Sequence, residues 1–301
     1  MKTTASWTVW RHVGLRHIAL AGLGCLLVGA QLHAADYTYV RLNVPGSDET
    51  WATGINARGD IVGVYFAAGI RNGYLLRKGV YTTLPFPEGA IALGARAINA
   101  RGDIVGTFDS ADGAMHGYLL KDGQYTAFDR PGSSATSAFG LNNADDIVGI
   151  WEDGSFLLRN GKFRNVPSGG ERGVLYNVLD VRDNGRVLVG AAIGPSGVTG
   201  FISRRFGEIE LIAHPDAPGC TAIRGINERG DVVGVFDTDG CDPPFGGARG
   251  FLLRDGEFTV IDFPGGSGSD AFGINDDGVI VGRYVDRNGA IRGFKAKPNT
   301  N

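Results

Sequence analysis

From Tyr37 onward the chain is a succession of short apolar runs separated by Gly, Pro, Asn and Asp. "DIVGVYF" is the clearest. Ile61, Gly63 and Tyr65 fall on one alternating face, Val62 and Val64 on the other, and neither face is polar. A strand apolar on both faces must be covered on both. The runs "GYLLRKG" and "VYTTLPF" follow, the first closed by a Lys-Gly turn and the second stopped by Pro. No segment in this region carries a helical apolar stripe of useful length. The pattern predicts short antiparallel strands throughout.

The runs repeat. "INARGDIVG" stands at Ile55–Gly63 and returns unchanged at Ile98–Gly106. Variants begin at Leu141, Val181, Ile226 and Ile274. The glycine ending each copy is Gly63, Gly106, Gly149, Gly190, Gly234 or Gly282, at spacings of 43, 43, 41, 44 and 48. An aromatic after a small residue keeps the same rhythm, at Tyr74, Tyr118, Phe156, Phe201, Phe251 and Phe294. Each unit reads as four strands, with "ARGD" a hairpin turn whose Gly takes positive φ. A four-stranded sheet with two apolar faces needs neighbours on both sides, and this period is that of a propeller blade. The fold expected is all-β: a six-bladed propeller of four-stranded antiparallel blades. No fourth strand remains after "GFKAKPN", but "YTYVRLNVPG" at Tyr37–Gly46 resembles one. The N-terminal strand should therefore complete the last blade and remove two exposed edges. The recurrent Gly in strand two reads as a packing glycine where sheets converge.

Composition narrows the setting. Residues 1–34 have a basic start at Lys2, Arg11 and Arg16, a short apolar run from Ile18 to Leu32, and Ala34 as a cleavage residue. This reads as a signal peptide, leaving the propeller over 35–297 and a disordered tail over 298–301. The full chain carries −3; removal of the leader leaves 26 Lys and Arg against 32 Asp and Glu, a net of −6. No concentrated basic face suggests nucleic acid, and no membrane association is expected once the leader is gone. Cys25 leaves with the leader. Cys220 and Cys241 then form an even pair flanking the "INERGDVVG" hairpin, and a disulfide is expected in an oxidising compartment. The predicted location is secreted or periplasmic, and the predicted state a monomer.

The pattern hydrophobic-Asn-x-x-Gly-x-hydrophobic-Val-Gly, then a small residue with an aromatic, then "dGxyt-id-PG", resembles the extracellular HAF-type repeat family over roughly residues 37–296. The namesake His-Ala-Phe is altered, and only His116-Gly117-Tyr118 keeps its His. The resemblance implies export and a propeller; it carries no catalytic residues to transfer.

Candidate chemistry is sparse. Arg58-Gly59-Asp60, Arg101-Gly102-Asp103 and Arg229-Gly230-Asp231 spell an adhesion tripeptide, but other units carry different turn letters at that place. A hairpin turn is the reading they favour. The loops after strand two are acidic, with Asp109, Asp112, Asp237, Asp239, Asp242 and Asp286; Asp270 enters the last blade. With the small polar loops between blades they should line one channel mouth, acidic and poor in aromatics. No cofactor is expected. Calcium is the one cation those acids suggest, though no loop has the complete spaced ligand set. His116 and His214 stand in no catalytic motif, and a G-x-S-x-G elbow is missing. Trp51 and Trp151 are placed in the core by default. The functional expectation is a binding or scaffold module for an unknown polar ligand or cell-surface component. The alternatives are a hydrolase or lyase using channel carboxylates, and a cation-dependent adhesin.

Overall fold

The computed structural model of the chain describes residues 37–299 except 168–170, 172, 206 and 242–246. The predicted leader, with Cys25, lies outside these residues, as do Asp242 and the last two positions. The described residues form 24 strands in six four-stranded antiparallel sheets, with no helix among them. Blades one to five run in chain order, each a simple meander. Their inner strands are Glu49–Ile55, Ala90–Ile98, Ser137–Leu141, Leu175–Val181 and Thr221–Ile226, and Gly268–Ile274 is the inner strand of blade six. Blade six takes its outermost strand from the other end of the chain. Tyr37–Leu42 pairs antiparallel with Ile291–Pro298, from Tyr37 opposite Pro298 to Leu42 opposite Gly293. The predicted clasp is present. The sheet runs one residue beyond the expected boundary at 297, and Thr38 donates a hydrogen bond to Asn299 just past it.

Second strands are covered on both faces, as their pattern requires: Ile61, Val62 and Val64 are all buried. The strand-two glycine, however, serves a different purpose from the one expected. A Cβ on Gly149 would lie 2.0 Å from the Ser137 carbonyl oxygen and 2.7 Å from the Phe156 ring. Gly63, Gly106, Gly190, Gly234 and Gly282 are boxed in the same way. Each pairs across strands with its unit's aromatic, as Gly63 does with Tyr74 and Gly149 with Phe156. The aromatic ring covers the bare glycine within one blade, and the two landmarks are one device. Sheets converge instead on inner-strand glycines. A Cβ on Gly54 would meet the Arg96 carbonyl oxygen at 2.8 Å, and one on Gly140 would meet the Asp180 Cα at 2.8 Å.

The nonapeptide has a second duty. Asn99 is buried, and its side-chain oxygen accepts the backbone N–H groups of Arg101, Gly102 and Asp103. Its amide donates to Asp103 of the same turn and to the backbone oxygen of Asn142 in the next blade. Asn56 likewise reaches Asn99, Asn142 reaches Arg182, Asn227 reaches Asn275, and Asn275 closes back onto Asn56. In the worn fourth unit Arg182 replaces Asn and reaches the Glu228 backbone oxygen. A circle of side chains thus ties every blade to the next.

Candidate functional site: the axial channel

Inner strands carry a β-bulge, as between Ala52 and Gly54 or between Ile223 and Gly225. The bulged residue sits three positions before the latch Asn or its Arg182 equivalent. In blade order this residue is Thr53, Arg96, Phe139, Leu179, Arg224 and Phe272, and all six line one axial cavity of about 140 Å³. Just beyond this ring, at a neck, the same cavity is lined by Gly54, Ala97, Asp180 and Gly273, with Gly140 and Gly225 packed against the following blade at the same level. Past that neck is the latch mouth, where Asp183, Glu228 and Asp276 give an acidic arc. These side chains stitch blades as well: Asp183 accepts the Asn143 N–H, Glu228 that of Asp183, and Asp276 that of Glu228.

The opposite side of the ring is basic. Arg96 leans over the Phe139 ring at 5.2 Å and Arg224 over Phe272 at 5.7 Å, within cation–π reach. Arg71 pairs with Asp109 at 2.9 Å. Asp270 is buried and shares one oxygen between Arg224 at 3.5 Å and Arg283 at 3.7 Å. Arg283 also lies 4.3 Å from the Trp51 ring centre. Arg96 has neither a hydrogen bond nor an ion pair among the described residues, and its buried Nε has no acceptor. Burial holds the Arg96 guanidinium down to about 10, helped by the charges of Arg71 and Arg224. Four guanidiniums therefore gather near three carboxylates, Asp109, Asp270 and Glu49, and Arg96 has none of them within ion-pair distance. Such an imbalance in a partly desolvated place attracts anions.

Asp180 is the exception in the neck, where the other blades have Gly or Ala. Its carboxylate accepts the Val181 and Ile226 backbone N–H groups at 2.8 and 3.0 Å. Burial pushes it up to about 7 despite these bonds, and the neighbouring Glu228 and Asp183 charges add to the rise.

The predicted acidic rim is not gathered into one site. Asp270 is in the channel wall, and Asp109 is beside it through Arg71. Asp112 accepts the Ser110 hydroxyl and the Ala114 N–H within its own turn, and those bonds lower its pKa. Asp286 accepts the Ala290 and Asn288 N–H groups, with the same effect. Asp237 is buried and caps Asp239 N–H. Asp239 itself stays exposed in that loop. No group of three or more Asp, Glu, His or Cys able to hold a metal forms among the described residues. The expectation of a mouth poor in aromatics is corrected too, because Phe139, Phe272 and Trp51 face or flank the channel. Trp51 is half-buried where blades one and six meet, stacked near Phe272, and Trp151 is half-buried under Arg130. Trp151 also packs against the core cluster of blade three, as expected, whereas Trp51 lies outside the buried core clusters.

Cys220 and Cys241 form the expected disulfide, with a Cα–Cα distance of 5.3 Å. It ties the loop entering blade five to the loop after its second strand, beside a mostly apolar recess of about 340 Å³. His116 stands 3.0 Å from both Ser110 Oγ and Asp129. That spacing resembles a nucleophile, base and orienter. The single Ser110 hydroxyl proton, however, has Asp112 as its charged acceptor. The set is a turn lock, with His116 stacked on Phe108. Asp60, Asp103 and Asp231 of the three tripeptides are buried against the latch asparagines, so the hairpin reading holds.

No protein-family model and no curated protein matches the chain. Solved structures do. A candidate TolB from Agrobacterium tumefaciens matches with 13% identity and a TM-score of 0.52, over 84% of this chain and 91% of that one. A protein of unknown function from Bacteroides thetaiotaomicron matches with 12% identity and a TM-score of 0.51, over 88% and 74%. Virginiamycin B lyase from Staphylococcus aureus, crystallised with quinupristin, gives 12% and 0.49, over 88% and 100%. At such identities the likeness concerns fold alone, and the fold it supports is that of a six-bladed β-propeller.

Proposed function

We propose that the chain is an exported binding module whose axial channel holds a small anionic ligand. The unpartnered Arg96 guanidinium carries this reading, since a partly buried charge with no counter-ion is stabilised when a ligand supplies one. The Cys220–Cys241 disulfide fits an oxidising compartment. The secretory leader and the HAF-like repeat pattern point the same way, to the periplasm or the medium. The hydrolase alternative draws less support. Its two carboxylates should stand about 5–9 Å apart and be free to act, whereas Asp270 is held by two guanidiniums and Asp180 by two backbone N–H groups. The cation-dependent adhesin is likewise poorly served by rim acids engaged in their own turns.

Calorimetric titration of the purified protein with benzoate tests the reading. Binding that weakens as salt rises, and falls at least tenfold in Arg96→Gln with unchanged melting, is the expected result. Benzoate affinity unaltered by that substitution would refute the channel as the seat.

A further inference from the structure

The side of the ring away from the latches carries a second opening. Its recess of about 340 Å³ is walled at one end by three consecutive bulge residues, Phe139, Leu179 and Arg224, from blades three, four and five. Asn177 and Ala222 also line it, each two residues before the bulge residue of its blade. Inner strands run toward the latches, so the recess lies on the other side of the bulge ring. It extends from the axis outward over blade four, where Ile193, Val198 and the Cys220–Cys241 bridge form its outer part. Ile193 is exposed, and the outer part is open to water.

The walls are mostly apolar and the two ends are unlike. At the axial end the buried Nε of Arg224 has no acceptor, and the contact of this guanidinium with Asp270 is long, at 3.5 Å. At the outer end Asp237 is buried and holds the Asp239 N–H. Thr221 is engaged there too, accepting the His214 N–H and donating to the Ala217 carbonyl. An anion is therefore stabilised at the axial end and repelled by Asp237 at the other. Between the two ends a ligand meets chiefly hydrocarbon and the disulfide, with Asn177 the one further polar side chain on the wall.

We infer that the ligand is an amphipathic monocarboxylate, its carboxylate among the ring guanidiniums at the Arg224 end and its medium-length hydrocarbon tail in the recess. The inference rests on the anion-binding reading above and specifies its ligand class. Charge fixes the direction of such a ligand, because only one end of the recess is basic. Lining fixes its body, because an apolar tail leaves no buried polar group unmet. Volume fixes its length. The recess is near the lower end of the roughly 300–1,000 Å³ usual for ligand pockets and about twice the roughly 150 Å³ that suffices for benzene. A single tail of several carbons fills that space, whereas a bulky multi-ring ligand does not fit in it.

The test is calorimetric titration of the whole protein with butyrate and octanoate, and with benzoate as the probe of the channel alone. It uses wild type, Ile193→Glu, Val198→Trp and Arg224→Gln. Thermal melts check that each variant folds, and the exposed position of Ile193 keeps the test open should Val198→Trp not fold. Wild type is expected to bind octanoate at least about tenfold more tightly than butyrate, since four more methylenes leave water. Ile193→Glu and Val198→Trp should each bring that ratio to near one while leaving benzoate affinity unchanged. Arg224→Gln should weaken butyrate and octanoate together, by about tenfold, through loss of a charge-assisted contact. Equal affinity for butyrate and octanoate on wild type, or an octanoate preference that survives both recess substitutions, would overturn this inference and leave the anion channel standing. Failure of benzoate and octanoate alike to bind would overturn both readings.

Discussion

At the scale of single residues, the latch asparagine and the neck aspartate show two opposite uses of a buried polar group. Asn99 satisfies three turn N–H groups and crosses to the next blade, so its removal leaves several buried partners unmet. Asn99→Ala is expected to destabilise the protein by about 2–3 kcal/mol, read as a lower midpoint in urea unfolding at unchanged slope. A loss under half that would show that the latch is incidental. Asp180 behaves differently. Its carboxyl titrates at about 7 in the folded chain and near 4 when unfolded, so between those values the folded state holds the extra proton. Stability should therefore fall as pH rises through that window, by at most about 1.4 kcal/mol per pH unit, and level off above it. In Asp180→Asn this contribution is absent. Unfolding followed from about pH 5 to about pH 8 should show the wild type losing stability relative to the variant. Parallel profiles would mean that Asp180 is ionised throughout. The latch was legible in the sequence only as a turn. Nothing in one unit says that its Asn also spans the 43 residues to the next copy, because that contact exists only once the ring closes.

At the scale of the strand and blade, the pairing of strand-two glycine with strand-three aromatic explains why both landmarks share one rhythm. Gly149→Ala would drive a Cβ into the Ser137 carbonyl and the Phe156 ring, and overpacking of this kind is expected to cost about 3 kcal/mol. Gly113→Ala, in an open turn with φ of +87°, should cost about 1 kcal/mol. Chemical unfolding of the two variants checks the order; equal losses would mean that only backbone conformation matters. The four strands and their turns were readable from alternation, and so was the disulfide across the blade-five hairpin. The inner-strand bulge was not. It adds one residue without any distinctive letter, and the channel-facing role of Arg96 or Phe139 follows from it. Six internal copies did hold a signal. Aligned on the latch position, the neighbouring positions are nearly uniform, Ala or another core aliphatic before and Gly or Ala after, with Asp180 the one departure. The position facing the channel takes four residue types in the six copies, Thr, Arg, Phe and Leu. A site released from folding duty is free to vary.

For the whole molecule, closure by the Tyr37–Leu42 strand decides whether the frame is rigid. That strand covers the edge of Ile291–Pro298 along six paired residues, and Tyr37 packs into the core of the last blade. Protein lacking residues 37–42 should lose cooperative unfolding and aggregate through the bared edge. Retention of one sharp transition would show that the ring holds without its clasp. Closure also separates two unlike mouths, an acidic one at the latches and a basic, aromatic one behind the bulge ring. The overall charge conceals this. A net of −6 after loss of the leader and a count of acidic loop residues suggested a rim for cations, because composition does not reveal that the acids are spent in turns while four arginines converge from blades one, two, five and six.

The most direct test of the account is a crystal structure of the protein grown with benzoate. The account predicts the carboxylate of the ligand on Arg96 in the axial channel. Ligand seated only outside the channel, or a channel holding water alone at saturating benzoate, would contradict it.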